Sequence, residues 1–214
     1  MKNKIVSLLL ALGLSSAALA NSAKIGYVSD FFYRGEQKAL ESVQASLDID
    51  QTVAGLNASL HACTNQSVDQ GVDSYGLAAG VSHTFVDGLL NVYGGFNHFE
   101  DVAGDALSEI ALKTSLNTIA SPTLAVYRNV DDELYTFEGS VSHSIALSIA
   151  DLGLSASIGN TDITESTDRD YYGLGADLSR KVGEGAVLSA SVDLVDADDI
   201  EREFVFGTAL TFNF

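Results

Sequence analysis

Along most of this chain, polar and apolar residues alternate with a period of two, in runs of roughly nine to fourteen residues. The length of those runs matters. A strand in a water-soluble domain usually has about five or six residues, whereas a strand tilted across a bilayer needs about nine to eleven. Around residues 134–147, Tyr135, Phe137, Val141, His143, Ile145 and Leu147 share one face, while Thr136, Glu138, Ser140, Ser142 and Ser144 share the other. The last run sets Phe204, Phe206, Leu210, Phe212 and Phe214 against Glu203, Val205, Gly207, Ala209 and Asn213. Such runs predict about twelve strands, near 24–34, 42–50, 53–62, 73–85, 89–99, 107–117, 121–129, 134–147, 151–160, 170–181, 186–195 and 203–214. An even count is what bacterial membrane barrels show.

The connections sort into two sets. Gln51-Thr52, Val86-Asp87-Gly88, Thr118-Ile119-Ala120, Ala150 and the stretch from Val182 to Gly185 are short, and Asp-Gly is a strong hairpin signal. The stretches 35–41, 63–72, 100–106, 130–133, 161–169 and 196–202 are mostly longer, polar and acidic. A barrel with both termini on one side predicts this alternation, with short turns there and long loops opposite.

The N-terminus decides which residues belong to the fold. Lys2 and Lys4 precede an apolar run from Ile5 to Leu14, and Ala18-Leu19-Ala20 is a small-residue cleavage site. That order predicts a signal peptide over residues 1–20 and a single barrel domain over 21–214. The apolar run is too short for a membrane-spanning helix. The chain holds 11 basic and 29 acidic residues, a formal net charge of −18, and the leader takes two of the lysines. So acidic a chain argues against nucleic-acid binding, which needs basic patches. With one cysteine, Cys63, there is neither an intrachain disulfide nor a thiol metal cluster.

Alternation alone does not say which face is inside. In a soluble sandwich the apolar face is the core; in a membrane barrel it meets lipid and the polar face lines the lumen. Strand length, aromatics near strand ends (Tyr33, Tyr75, Phe85, Phe137, Tyr172, Phe204, Phe212) and a terminal aromatic strand favour the barrel. The predicted pore-lining charges are Asp30, Arg34, Asp48, Glu109, Lys113, Glu138, Asp177 and Asp193. Gly76, Gly80, Gly95, Gly153, Gly159, Gly173, Gly175 and Gly207 fall on the same phase, and such small inward residues predict a water-filled lumen. Tyr27, Phe31 and Tyr33 fall on the lipid phase.

The stretch from Gly26 to Gln37 resembles the opening of the TorF-type family of proteobacterial porin-like proteins. Ser29, Asp30, Arg34 and Gly35 match its signature, with Phe31 and Tyr33 exchanging the aromatics. The resemblance implies an outer-membrane, porin-like protein and names no substrate. On the residues themselves, Asp30 and Arg34 stand four apart along one strand, over 12 Å, too far to pair. Glu203 opens the last strand, which neighbours the first in a closed barrel, so an Arg34–Glu203 contact across the closure seam is expected.

Catalytic patterns are absent. Ser142-His143 and Ser82-His83 are strand neighbours and point to opposite faces, and neither G-x-S-x-G nor H-E-x-x-H occurs. His83, His98 and His143 share phase with apolar residues; His61 is on the polar phase. The acidic stretches 161–170 and 196–201 carry hard oxygen donors without EF-hand spacing.

The expectation is an all-β, up-and-down antiparallel transmembrane barrel of about twelve strands, with no cofactor and no metal. It would pass small hydrophilic solutes or ions and prefer cations, because its lumen charges are mostly acidic. Its partners would be outer-membrane lipid, the barrel-assembly machinery gripping the C-terminal strand, and the permeating solutes. Three rivals stand beside it: a non-conducting structural or adhesion barrel, a soluble periplasmic ligand-binding β-protein, and an outer-membrane hydrolase.

Overall fold

The computed structural model describes residues 21–68, 72–102, 106–164, 166–198 and 200–214. The expected signal peptide lies outside them. Twelve strands follow in chain order: β1 (Ser22–Tyr33), β2 (Glu36–Val53), β3 (Leu56–Ser67), β4 (Ser74–Phe85), β5 (Leu90–Asp101), β6 (Ala106–Leu116), β7 (Thr123–Asn129), β8 (Tyr135–Ala146), β9 (Asp151–Thr164), β10 (Thr167–Gly183), β11 (Ala186–Ala197) and β12 (Ile200–Asn213). Each pairs antiparallel with its chain neighbours, and β1 pairs with β12 from Ser22↔Asn213 to Val28↔Gly207, closing the barrel.

Period-two alternation produces this wall because one face must meet an apolar surrounding while the other faces inward. The outward set is the expected one: Ile110, Leu112, Phe137, Tyr172, Leu174, Leu188, Phe204 and Phe206 are all exposed. Between them, Glu109, Ala111, Tyr127, Tyr171, Val205 and Ala209 are buried inside.

The loops depart from expectation. The stretches 35–41, 161–169 and 196–202 belong almost wholly to strands, which extend to Tyr33 and Glu36, to Thr164 and Thr167, and to Ala197 and Ile200. β2 and β10 thereby reach 18 and 17 residues. The longest connections, 68–73 and 117–122, lie at opposite ends, so the predicted contrast between short turns and long loops does not hold. Acidic composition misled here: Asp162, Asp168 and Asp170 sit in paired strands, where Asn160 donates to Asp168 and Asp170 at 2.8 Å each.

The second departure shapes the interior. Ladder pairs of β1 with β12 end at Val28, and those of β2 with β3 end at Ser42. The β1–β2 ladder continues to Tyr33↔Glu36. Its partners step from Ala39 to Gln37 opposite Phe31 and Phe32, which makes Lys38 the extra residue of a bulge. A bulge bends its strand and re-aims side chains. Beyond Val28 and Ser42, one bond on each side still ties the hairpin to the wall: Phe206 N–H to Ser29 Oγ at 3.0 Å, and Val68 N–H to the Glu41 carbonyl at 2.8 Å. The rest of the hairpin leaves the wall and folds into the barrel.

Candidate functional site

The hairpin tip crosses the lumen. Arg34 (φ 51) and Gly35 (φ 74) form the two-residue turn, both in the left-handed region that such a turn requires. A Cβ on Gly35 would stand 2.7 Å from the Tyr171 Cβ and 3.0 Å from the Ala197 Cβ, so the tip is seated on the inner face of β10 and β11, beyond β12 in the wall. No other residue fits there in both backbone and space.

Arg34 fixes the tip. Both terminal nitrogens of its guanidinium bond the Glu109 carboxylate on β6, one of them at 2.6 Å, and Nη1 also donates to Thr136 Oγ1 at 3.3 Å. The guanidinium carbon lies 4.1 Å from the Tyr127 ring centroid and 5.0 Å from that of Tyr33. A planar, delocalised cation held bidentate and stacked on rings is the arrangement Arg makes and Lys does not. The side chains of Arg34 and Glu109 are only 11% and 3% exposed.

The expected seam contact is therefore corrected. Arg34 meets Glu109 across the lumen, while Glu203 lies opposite Val195 in the β11–β12 ladder. A further assignment falls with it. Tyr33 stacks on Phe99 of β5 at 5.2 Å between ring centroids, and Phe31 lies 6.5 Å from the same ring, so both face inward. Asp30 accepts a hydrogen bond from Gln37 Nε2 at 3.0 Å in an exposed pair.

The other predicted pore-lining charges are inward. Lys113 Nζ sits 5.4 Å from the ring centroids of both Tyr93 and Tyr127. Glu138 accepts a hydrogen bond from the Tyr171 hydroxyl at 3.0 Å, over Gly159 on the intervening strand. Asp177 and Asp193 lie against Gly153 and Gly175, where a Cβ would collide with their carboxylates. Asp48 bonds His61 at 2.6 Å. The inward glycines thus house large neighbours lying flat on the wall: Tyr93 covers Gly80 and Gly95, and Tyr171 covers Gly159.

That changes the lumen. Eight strands are filled by their own side chains, and twelve leave room for more. Here the hairpin and the tyrosines take the room at one level. On the terminal side of the hairpin the interior opens into cavities of about 550 and 280 Å³, and Asp177 contributes to both. On the far side a cup of about 310 Å³ includes Glu36, Lys38, Asp101 and Asp132. Missed in the sequence were Tyr93, Tyr127 and Tyr171. For Tyr93 and Tyr171 the signal was an aromatic on the polar phase beside a glycine of an adjacent strand, Gly80 and Gly159. His83 and His143 bond the carbonyls of Gly55 and Ile119 at 2.9 and 2.7 Å. Among the described residues, no three His, Cys, Asp or Glu gather to hold a metal ion.

No family model matches the chain, and no curated relative matches it. Solved structures share its fold. A KdgM porin superposes with a TM-score of 0.61 at 14% identity, over 90% of this chain and 99% of the other. An outer membrane channel from Pseudomonas putida F1 gives 0.61 at 9% identity, over 92% and 96%. A NanC porin gives 0.59 at 11% identity, over 90% and 99%.

Proposed function

We propose that this chain is an outer-membrane channel of the porin type, passing small hydrophilic solutes and preferring cations, with its flux limited by the inward β1–β2 hairpin. The carrying observation is the sorting of side chains by face. Leu174, Leu188, Phe204 and Phe206 form an apolar exterior, while Asp48, Asp177 and Asp193 line the wall on the terminal side against Lys24. An apolar exterior suits lipid and an acidic interior raises the local concentration of cations. The leader over residues 1–20 would export the chain, and the aromatic C-terminal strand would be gripped during assembly. The signature from Gly26 to Gln37 fits the same proposal, as does the lack of a catalytic pattern in the sequence.

Planar-bilayer recording tests it. Folded protein is expected to give discrete channel events whose reversal potential in a salt gradient reports cation preference. Anion preference would sink the selectivity claim. The packed hairpin favours one second reading, a barrel that does not conduct; the lack of any event from folded protein would select it.

A further inference from the structure

The inward hairpin leaves a strand edge behind it. β12 begins at Ile200, yet its ladder with β1 stops at Val28↔Gly207. Before Gly207, β12 pairs only with β11 among the described residues. The backbone groups of alternate residues point to opposite sides of a strand. The Phe214 amide donates to the Asn21 carbonyl and the Phe206 amide to Ser29 Oγ, so the even-numbered residues of β12 address β1. At Phe206 a hydroxyl has taken the place of a ladder carbonyl. The next two residues of that set, Phe204 and Arg202, face the place that β1 has vacated. An unpaired edge is a liability in water and costs more beside lipid.

The segment that matches this edge is β1 itself. Carried on without slip, the register sets Phe31 opposite Phe204 and Tyr33 opposite Arg202 as hydrogen-bonded pairs. Asp30 then falls opposite Val205, and Phe32 opposite Glu203. The faces agree, since opposed residues share a face. Phe204 is exposed outside and Val205 is buried inside, so Phe31 and Tyr33 would join the outer aromatics. The hairpin is also jointed. Its ladder runs Val28↔Ser42, then Asp30↔Leu40, with no pair between Ser29 and Glu41. Those two residues carry the single bonds to the wall on either side.

We propose that the β1–β2 hairpin is a two-state gate. Seated, it crosses the lumen with Arg34 on Glu109. Released, it swings as a unit about Ser29 and Glu41, and residues 30–33 zip onto β12, completing the wall and clearing the lumen. The gate's effect on flux rests on the channel proposal; the swing itself does not.

Disulfide trapping in the folded full-length barrel, carrying Cys63→Ser, tests the swing. Zipped, Phe32 and Glu203 form a non-hydrogen-bonded pair with Cα atoms about 4.5 Å apart, within disulfide range. Phe32→Cys with Glu203→Cys should therefore cross-link under mild oxidation. Phe32→Cys with Glu201→Cys, two residues out of register on the same face, should cross-link on the order of tenfold more slowly. Adding Glu109→Gln weakens the latch and should speed the first cross-link at least about threefold, by shifting the population towards the zipped state. Heat-modifiable migration on a gel checks folding. If a cysteine pair does not fold, amide exchange carries the test: Arg202 and Phe204 should exchange more slowly in Glu109→Gln than in the native chain, because zipping protects them. No cross-link with or without Glu109→Gln, equal rates for the two pairs, or exchange no slower in Glu109→Gln overturns the proposal. Neither readout needs current through the barrel, so its failure and the failure of the channel proposal are distinguishable.

Discussion

At the scale of residues, the pair Arg34–Glu109 carries the largest electrostatic stake. Two charges removed from water are costly, and their attraction offsets that cost only with good geometry and satisfied hydrogen bonds. Here Glu109 accepts two bonds from one guanidinium, and Thr136 takes another from Arg34. Removing one partner leaves the other charge buried alone. Glu109→Ala is therefore expected to destabilise the barrel by about 3–5 kcal/mol. Arg34→Met with Glu109→Met together should cost clearly less than Glu109→Ala. Urea unfolding of lipid-reconstituted protein measures both. Additive losses in the full double-mutant cycle would mean that the two side chains are not coupled in the folded barrel. Arg34 was legible in the sequence as an inward charge. Its partner was not, because a contact between residues 34 and 109 depends on where a bent hairpin points, and alternation within a strand records only inside or outside.

At the scale of elements, the β1–β2 hairpin decides how much of the lumen is free. Gly35 and Gly55 offer a controlled comparison, since both occupy two-residue turns with positive φ, 74° and 82°. A side chain at Gly35 would meet Tyr171 and Ala197, whereas one at Gly55 would meet nothing within 4 Å. Both Gly35→Val and Gly55→Val strain the backbone; only Gly35→Val should unseat the hairpin. Single-channel conductance is expected to rise in Gly35→Val, and tryptic cleavage at Lys38 to accelerate, with Gly55→Val close to native in both. Equal behaviour of the two variants would show that the seat on β10 and β11 does not hold the tip. The hinge carries a cost of its own: Ser42 is 0% exposed and its hydroxyl has no hydrogen-bond partner. A buried unsatisfied hydroxyl costs about 1–3 kcal/mol, which the contacts of Arg34 must offset. The twelve strands and most face assignments were legible because one residue of slip would expose every inward polar group to the apolar side. The inward turn of the hairpin was not legible, since alternation records the phase of a residue along its strand and not whether the strand stays in the wall. Phe31 and Tyr33 looked like lipid-facing aromatics for that reason.

At the scale of the whole molecule, the question is which charges a permeating ion meets. The chain's net charge of −18 is spread over both ends and the interior, but selectivity is set where the passage is narrow. At the hairpin the inward charges of Arg34 and Lys113 face Glu109 and Glu138, so that level is balanced. Asp48, Asp177 and Asp193 lie on the terminal side, in the wider part, with Lys24 among the lining residues. Exposed charges more than about 8–10 Å from an ion's path are largely screened at physiological salt. Selectivity should then be modest and depend on ionic strength, stronger in dilute salt than in molar salt. Changing Asp48, Asp177 and Asp193 together to Asn is expected to move the ratio of potassium to chloride permeability towards one while leaving conductance in molar salt nearly unchanged. Reversal potentials in a gradient, recorded at low and high mean salt, check this. If the triple variant keeps the native ratio at low salt, the acids beyond the hairpin, Glu36, Asp101 and Asp132, would set the preference instead. The same recording would then place the selecting charges in the far cup.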